Sequence, residues 1–331
     1  MNQYGYTRVN INESTGIVQE VNPSTRSTNT KEKGWTDIRY IKIPFKSIKD
    51  SKYVYKKYGT VPSIAKENSS EFNLWINASY VYDATILGKT IIDGKIAFPH
   101  ITGKTENRKY FYFKNGIPEI GKLPVDLTGI KYAANVGPLL LDNGIDVLSK
   151  SISEDNFQSD IITGKNNRTL VGITSDSYLV IVIVDGRGST DAGLTLKQCV
   201  HLLKYLGCVK GINLDGGASG TIHSNNKQIK DFINLKNDTH LSDMRLTSPS
   251  KISHAIGFSI DMDKFFPYKV FTATATAKII DGAFHIPARS FIEALGGTVT
   301  FDQTTLTGTF ILGNKTIKLT HNSDKIIVID N

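Results

Sequence analysis

The sequence predicts an α+β protein: a mixed β-sheet with flanking helices, followed by a small C-terminal α+β module. Three observations carry this expectation. Tyr178-Leu-Val-Ile-Val-Ile-Val184 is an unbroken apolar run rich in β-branched residues, as a central strand buried on both faces requires. Leu196, Cys199, Val200, Leu203 and Leu206 then recur at helical spacing, behind a Thr195/Gln198 capping box and ahead of a terminating Gly207. Short alternating segments such as Tyr40-Ile-Lys-Ile43, Phe72 to Ile76, Thr90-Ile-Ile92 and Tyr110-Phe-Tyr-Phe113 supply further strands.

Residues 1–35 are rich in Asn, Ser, Thr and Glu and read as a flexible arm with one short strand at Thr7 to Ile11. Residues 36–262 form the main domain. Lys114-Asn-Gly116 and Asp142-Asn-Gly144 are turn signals within it. The strand at 178–184, the helix after it and Gly211-Ile-Asn-Leu214 make a strand-loop-helix-strand unit. If its two strands are parallel neighbours, Asp185 and Asp215 share the sheet edge where open sheets bind ligands. Residues 270–331 form the small module: a low-complexity stretch at 272–277, a helix over 286–296, and strands at Thr298 to Phe301, Thr307 to Leu312, Thr316 to Leu319 and Ile326 to Val328.

Composition bounds the function. The 331 residues carry a formal net charge of +8, with a pI near 9.2. A basic protein concentrates near polyanions. The charge is spread in short groups, and no basic run interleaved with aromatics marks a nucleic-acid groove, so no nucleic-acid partner is expected. Cys199 and Cys208 sit nine residues apart across a helix, roughly 13 Å at helical rise, which is too far for a disulfide. No stretch reaches the ~20 apolar residues of a membrane span, and the N-terminus as written has no signal-peptide pattern.

Two Gly-rich turns bear the candidate chemistry. In Asp185-Gly-Arg187 a carboxylate lies two residues from a guanidinium, the side chain best suited to bidentate phosphate recognition. In Asn213-Leu-Asp-Gly-Gly-Ala-Ser219, Asn213 and Asp215 share a face, while Gly216, Gly217 and Ser219 offer close backbone approach and an anion nest. Arg168 and Thr169, at a strand start, and Asn77, at a strand end, are further substrate-binding candidates. His223 follows the second turn and is a weaker acid–base candidate; the other histidines show no ligand spacing. No zinc, Walker A or Rossmann pattern occurs. Asp185, Asp215 and Asn213 carry oxygens of the kind that Ca²⁺ or Mg²⁺ takes, so a hard cation stays open.

These residues resemble a known family. Arg168-Thr-Leu-Val-Gly-Ile173, Val184-Asp-Gly-Arg187, Gly193-Leu-Thr-Leu196, Leu206-Gly207 and Asn213-Leu-Asp-Gly-Gly217 follow the order and spacing of the phosphodiester glycosidase (NAGPA) domain. Asn77-Ala-Ser-Tyr80, Ile92-Asp-Gly94, Asn135-Val-Gly-Pro138 and Asp142-Asn-Gly144 extend the likeness over roughly residues 70–260. The resemblance implies a hydrolase that cleaves the glycosidic bond of an N-acetylglucosamine-1-phosphodiester, with Asp185, Asp215 and Asn213 catalytic. One departure, Gly217-Ala218-Ser219-Gly220, replaces the family's third Gly and second Ser and bears on substrate identity. The tail, Ile286 to Gly296 with Val299-Thr-Phe-Asp302, resembles a copper amine oxidase N-terminal-like (stalk) repeat, which implies attachment rather than copper chemistry. Basic charge and a surface-type tail point to a sugar-phosphate polymer of a cell wall or capsule, acted on outside the cell or at its surface, with a phage source consistent with the missing signal segment. The rival readings are a non-catalytic glycan-binding module and an enzyme of the same fold acting on a nucleotide-type diester.

Overall fold

The computed structural model describes residues 4–23, 34–101, 103–265, 278–280, 283–285, 289, 292–293, 297–312, 315–320 and 326–330. The chain divides into two units, Met1–Phe265 and Phe266–Asn331.

The first unit is built on an eight-stranded sheet. Its order is Ile145–Asp146, Leu139–Asp142, Cys208–Asn213, Arg168–Thr174, Tyr178–Val184, Thr36–Pro44, Tyr4–Ile11, Val18–Val21. Every neighbouring pair is antiparallel, so the expected mixed sheet is corrected to an antiparallel one. The expected parallel neighbours are corrected too. Tyr178–Val184 and Cys208–Asn213 run in the same direction, but Arg168–Thr174 is inserted between them and pairs with both. Their C-terminal ends still share one edge, which is the property the site needs.

Residue alternation explains the burial of this sheet on both faces. Ile38, Tyr40, Leu170, Val180, Val182 and Val184 pack with Cys199, Val200 and Leu203 of the helix Leu196–Tyr205. That helix starts as its sequence signals: the Thr195 hydroxyl accepts from Gln198 N, and the Gln198 side chain accepts from Thr195 N. The alternate residues Ile41, Ile43, Leu179, Ile181 and Ile183 are buried on the opposite face.

Two five-stranded antiparallel sheets complete the unit. One runs Ile117–Gly121, Lys109–Lys114, Ile130–Val136, Thr90–Ile92, Lys95–Phe98. The other runs Thr239–Leu241, Thr221–His223, Leu74–Ile76, His254–Ile260, Ile48–Tyr55. At the signalled turns, Asn115 and Asn143 take φ of 52° and 50° and the following Gly116 and Gly144 take 80° and 77°. This double left-handed pair fits the twist of a tight hairpin. With three such sheets the unit is predominantly β.

The N-terminal residues depart most from expectation. Tyr4–Ile11 is no arm: it pairs with Thr36–Pro44 on one side and Val18–Val21 on the other, with Val9 and Ile11 in the core. Polar composition concealed it because its partner strands come later in the chain. Cys199 and Cys208 are both free and buried. No helix among the described residues is long and apolar enough to cross a membrane.

In the second unit, Thr298–Asp302, Thr307–Leu312, Lys315–Thr320 and Ile326–Asp330 form an antiparallel sheet, and Lys278–Ile280 pairs with Ala283–His285. The expected linker over 272–277 lies outside the described residues, as does nearly all of the expected helix over 286–296.

Candidate active site

The two Gly-rich turns meet at the sheet edge around one piece of main chain. A Cβ added to Gly186 would stand 2.7 Å from Asn167 N, and one added to Gly216 would stand 2.8 Å from Asn167 O. Asn167 also donates from Nδ2 to Gly217 O at 2.6 Å and to Ser242 Oγ at 2.7 Å. Glycine at 216 is therefore a steric requirement. Gly216→Ala is expected to lift the Asp215 turn off Asn167, and a real Cβ contact this short is essentially never tolerated. We expect turnover to fall at least about 10-fold, given how steeply rate depends on ~1 Å of misplacement. Melting should shift by only a few degrees, as a steady-state assay beside a thermal melt would show.

Asp215 lies partly buried at the tip of its turn. Burial pushes its carboxyl up to about 7, against the opposing pull of the Ser219 hydroxyl, the Gly216 N–H and the Arg187 guanidinium. Arg187 has φ of 61° and reaches over Gly217, where an added Cβ would stand 3.1 Å from its Nη1. The guanidinium is held by Asn166 Oδ1 at 3.2 Å and Asp243 Oδ2 at 3.3 Å, and its side chain remains 33% exposed. Asp215, Arg187, Gly216, Gly217 and Ser219 thus assemble an accessible carboxyl, cation, hydroxyl and amide cluster.

Beneath them, three expected site residues are buried supports. Asn77 donates from Nδ2 to Asp215 O at 2.6 Å; its Oδ1 accepts from Thr169 Oγ1 at 2.9 Å and Thr221 N at 3.0 Å. Asp215 N donates to Ala78 O at 2.8 Å. His254 steadies Ala78 in turn: its Nδ1–H donates to Ile252 O, and its Nε2 accepts from Ala78 N at 3.1 Å. Burial keeps that imidazole neutral, with its pKa pulled down to about 4. Asn213 is 1% exposed and donates to Tyr80 OH at 3.0 Å and Leu214 O at 2.7 Å, leaving its Oδ1 buried without a partner. Asn77, Thr169 and Asn213, all expected at the site, are thus placed beneath the Asp215 turn with their side chains in internal hydrogen bonds.

Arg168, expected to bind substrate, is buried as well. It is 3% exposed, and its three nitrogens go to Leu194 O, Ile161 O and Gly164 O at 3.2, 2.7 and 3.3 Å. Its donors are thus committed to main-chain carbonyls.

Asp185 is 1% exposed. Its Oδ2 accepts from Arg39 Nη1 at 2.9 Å and its Oδ1 from His240 Nε2 at 2.6 Å. Burial alone would raise this carboxyl; His240 and Arg39 outweigh burial and hold it below the usual carboxylate range. Both oxygens of Asp185, expected as a catalytic residue, are thus engaged by side chains from other elements. With one oxygen on the Arg39 guanidinium and the other on the His240 ring, Asp185 has no free oxygen to offer a Ca²⁺ or Mg²⁺ ion. No group of three His, Cys, Asp or Glu among the described residues is arranged to hold a metal.

Sequence reasoning missed Arg39, Asn167, His240, Ser242 and Asp243. No local pattern marks them: Arg39 and His240 lie 146 and 55 residues from Asp185. His223 is turned to Thr239 Oγ1 at 2.8 Å, and burial lowers its pKa.

A carboxyl, a cation and a hydroxyl thus gather on one glycine turn, a set of groups that can hold an anionic substrate. The chain belongs to the phosphodiester glycosidase family: the sequence model of that family matches residues 70–258, more than half of the chain. A copper amine oxidase N-terminal domain matches residues 267–331. None of the curated proteins matches the chain. Among solved structures, the zebrafish N-acetylglucosamine-1-phosphodiester alpha-N-acetylglucosaminidase catalytic domain, auto-inhibited by its pro-peptide, is similar with a TM-score of 0.54 and 18% identity. That match covers 78% of this chain and 84% of the zebrafish domain. A hypothetical protein from Synechocystis is similar at a TM-score of 0.46 and 14% identity, covering 69% of this chain and 60% of that one.

Proposed function

We propose that this chain hydrolyses the glycosidic bond of a sugar-1-phosphodiester of the N-acetylglucosamine type, carried on a cell-wall or capsule phosphopolymer. The observation that carries the reading is the Asp215 carboxyl, raised to about 7 and set beside Arg187 and Ser219 on the glycine turn.

Arg187, the Ser219 hydroxyl and the amides of Gly217 and Ala218 bind the phosphate. Asp215, as the carboxylate, takes a proton from the attacking water. The water oxygen bonds to the anomeric carbon as the bond from that carbon to the phosphate oxygen breaks. The phosphate leaves as a monoester anion, and Arg187 stabilises the charge it gains. A phosphate leaving group needs little protonation, so one carboxylate base and one guanidinium suffice. Asp185 acts indirectly: by accepting from Nε2–H of His240 it fixes that ring, two residues before Ser242 in the loop that Asn167 ties to the turn.

The test incubates the purified chain with UDP-N-acetylglucosamine and with wall teichoic acid, with and without EDTA, and identifies released species by mass spectrometry. Free sugar with a phosphomonoester is the expected product, unaffected by EDTA. Arg187→Met is expected to raise KM and lower kcat together, by about 100-fold or more in kcat/KM, because the lost contact strengthens toward the transition state. Tight polymer binding without turnover would favour a binding module. Release of nucleoside monophosphate without free sugar would favour a nucleotide diesterase.

A further inference from the structure

Four arginines are buried among the described residues: Arg8, Arg39, Arg108 and Arg168. Arg8 and Arg39 have carboxylates and Arg168 has carbonyls. Arg108 differs. It is 7% exposed, and its Nε and Nη1 are buried with no hydrogen-bond partner. Its guanidinium stacks 4.3 Å from the Phe157 ring and 5.5 Å from the Tyr80 ring, a contact that orients the cation but satisfies none of its N–H groups. The neighbouring acid Asp155 is committed to Lys109 at 2.8 Å and Ser151 at 2.6 Å. A buried guanidinium with idle donors and no counter-ion calls for a ligand.

Arg108 lines a recess of about 300 Å³. Lys89 and Lys122 line it too. Its one carboxylate, Glu106, is taken up by its own turn, accepting from Gly103 N at 2.6 Å and Thr105 N at 3.2 Å. Three basic residues therefore line the recess with one engaged acid. Leu123 and the fully exposed Val125 give it an apolar side. The recess is also tied to the Asp215 turn. Tyr80, which carries Arg108 on its ring, places its hydroxyl 2.6 Å from Gly137 O and 3.5 Å from Leu214 O, one residue before Asp215.

We propose that this recess is a second phosphate subsite, in which Arg108, Lys89 and Lys122 hold the phosphate of a neighbouring unit of an extended phosphodiester substrate. The subsite rests on the phosphodiester reading above for its substrate, but its anion chemistry stands on Arg108 and can be measured alone. An oligomer that engages Arg187 and Arg108 together gains affinity over a single phosphate without any new contact type.

Binding to the full-length chain would be measured by calorimetry with two probes, inorganic phosphate and a glycerol-phosphate oligomer of about six units. Phosphate should still bind in Arg187→Met and weaken at least 10-fold in Arg108→Gln. Because Arg108 is buried, Lys122→Gln, an exposed substitution, is the second variant and should weaken phosphate several-fold while the thermal melt stays at the wild-type value. The oligomer should bind at least 10-fold tighter than phosphate to the wild type, and each of the three variants should lose that advantage. Phosphate affinity unchanged in both Arg108→Gln and Lys122→Gln overturns the subsite. Phosphate binding that depends on Arg108, with no oligomer advantage, overturns the polymer substrate and leaves a free-anion site. Intact Arg108-dependent binding with no sugar released from any diester overturns the hydrolase reading and not the subsite.

Discussion

Replacing Asp215 with Asn is expected to lower kcat/KM on a sugar phosphodiester by about 10³-fold or more while making the protein more stable above neutral pH. The loss follows from removal of the base, a group worth typically ~10²–10⁴-fold in rate. Wild-type activity should rise with pH through about 7, because the carboxylate is the working form and burial pushes the Asp215 carboxyl up to about 7. The stability effect has the opposite sign. An unfolded Asp titrates near ~3.9. Between that value and about 7 the native protein holds a proton that the unfolded chain has released, so native stability declines as pH rises through this window. Asn carries no such penalty. After allowance for the partial exposure of Asp215, the variant should gain about 1–2 kcal/mol at pH 8, or about 2–8 °C in Tm, and almost nothing at pH 4. His254, neutral when folded because burial lowers its pKa to about 4, makes stability rise over pH 4 to 6.5. That contribution is common to both proteins and cancels in the difference. Full activity in Asp215→Asn, or a stability difference that does not grow with pH, would sink the assignment of Asp215 as the base.

The stability that Asp215 sacrifices explains why the site was legible where it was. The two turns are local departures from the strand pattern: polar and glycine residues at the ends of apolar runs, a choice that packing alone does not make. That mismatch singles out Asp185, Arg187, Asn213 and Asp215 as candidates, and it leaves their division of labour open. Whether a carboxylate is a base or a support depends on what faces it. Arg39 and His240 face Asp185 from strands distant in the chain, whereas Ser219 faces Asp215 from its own turn. Arg168 shows the converse. Its place at the mouth of the sheet is what spacing implies, yet the carbonyls of Ile161, Gly164 and Leu194 consume its donors. Strand direction was illegible for a similar reason. The helix between Tyr178–Val184 and Cys208–Asn213 allows a parallel relation, and nothing local to it reveals that Arg168–Thr174 occupies the space between.

The N-terminal strand should prove the most expensive element to lose. Arg8 is 1% exposed and forms ion pairs with Asp37 and with Asp191, the latter at 3.1 Å, and it also donates to Thr190 O. Asp191 Oδ1 accepts from Asp37 N at 2.9 Å as well. The cluster therefore fastens Tyr4–Ile11 to Thr36–Pro44 and to the loop that begins at Asp185. Arg8→Met keeps the length and apolar stem of the side chain but leaves two buried carboxylates facing each other without their cation. Breaking a buried pair in this way costs about 3–5 kcal/mol. At about 2–4 °C per kcal/mol for a unit of this size, Tm should fall by roughly 6–20 °C. Arg245→Ala is the matched control: Arg245 pairs with Asp243 from a side chain 60% exposed, and its removal should cost under ~1 kcal/mol. Deleting residues 1–11 should be worse than Arg8→Met. It strips the strand that separates Thr36–Pro44 from Val18–Val21 and opens a long apolar edge to pairing with other chains, so aggregated protein is the expected product. A soluble deletion variant that melts with the wild type would mean that these residues are an appendage after all, and that the hold on the Asp185 loop comes from Arg39 and His240 alone.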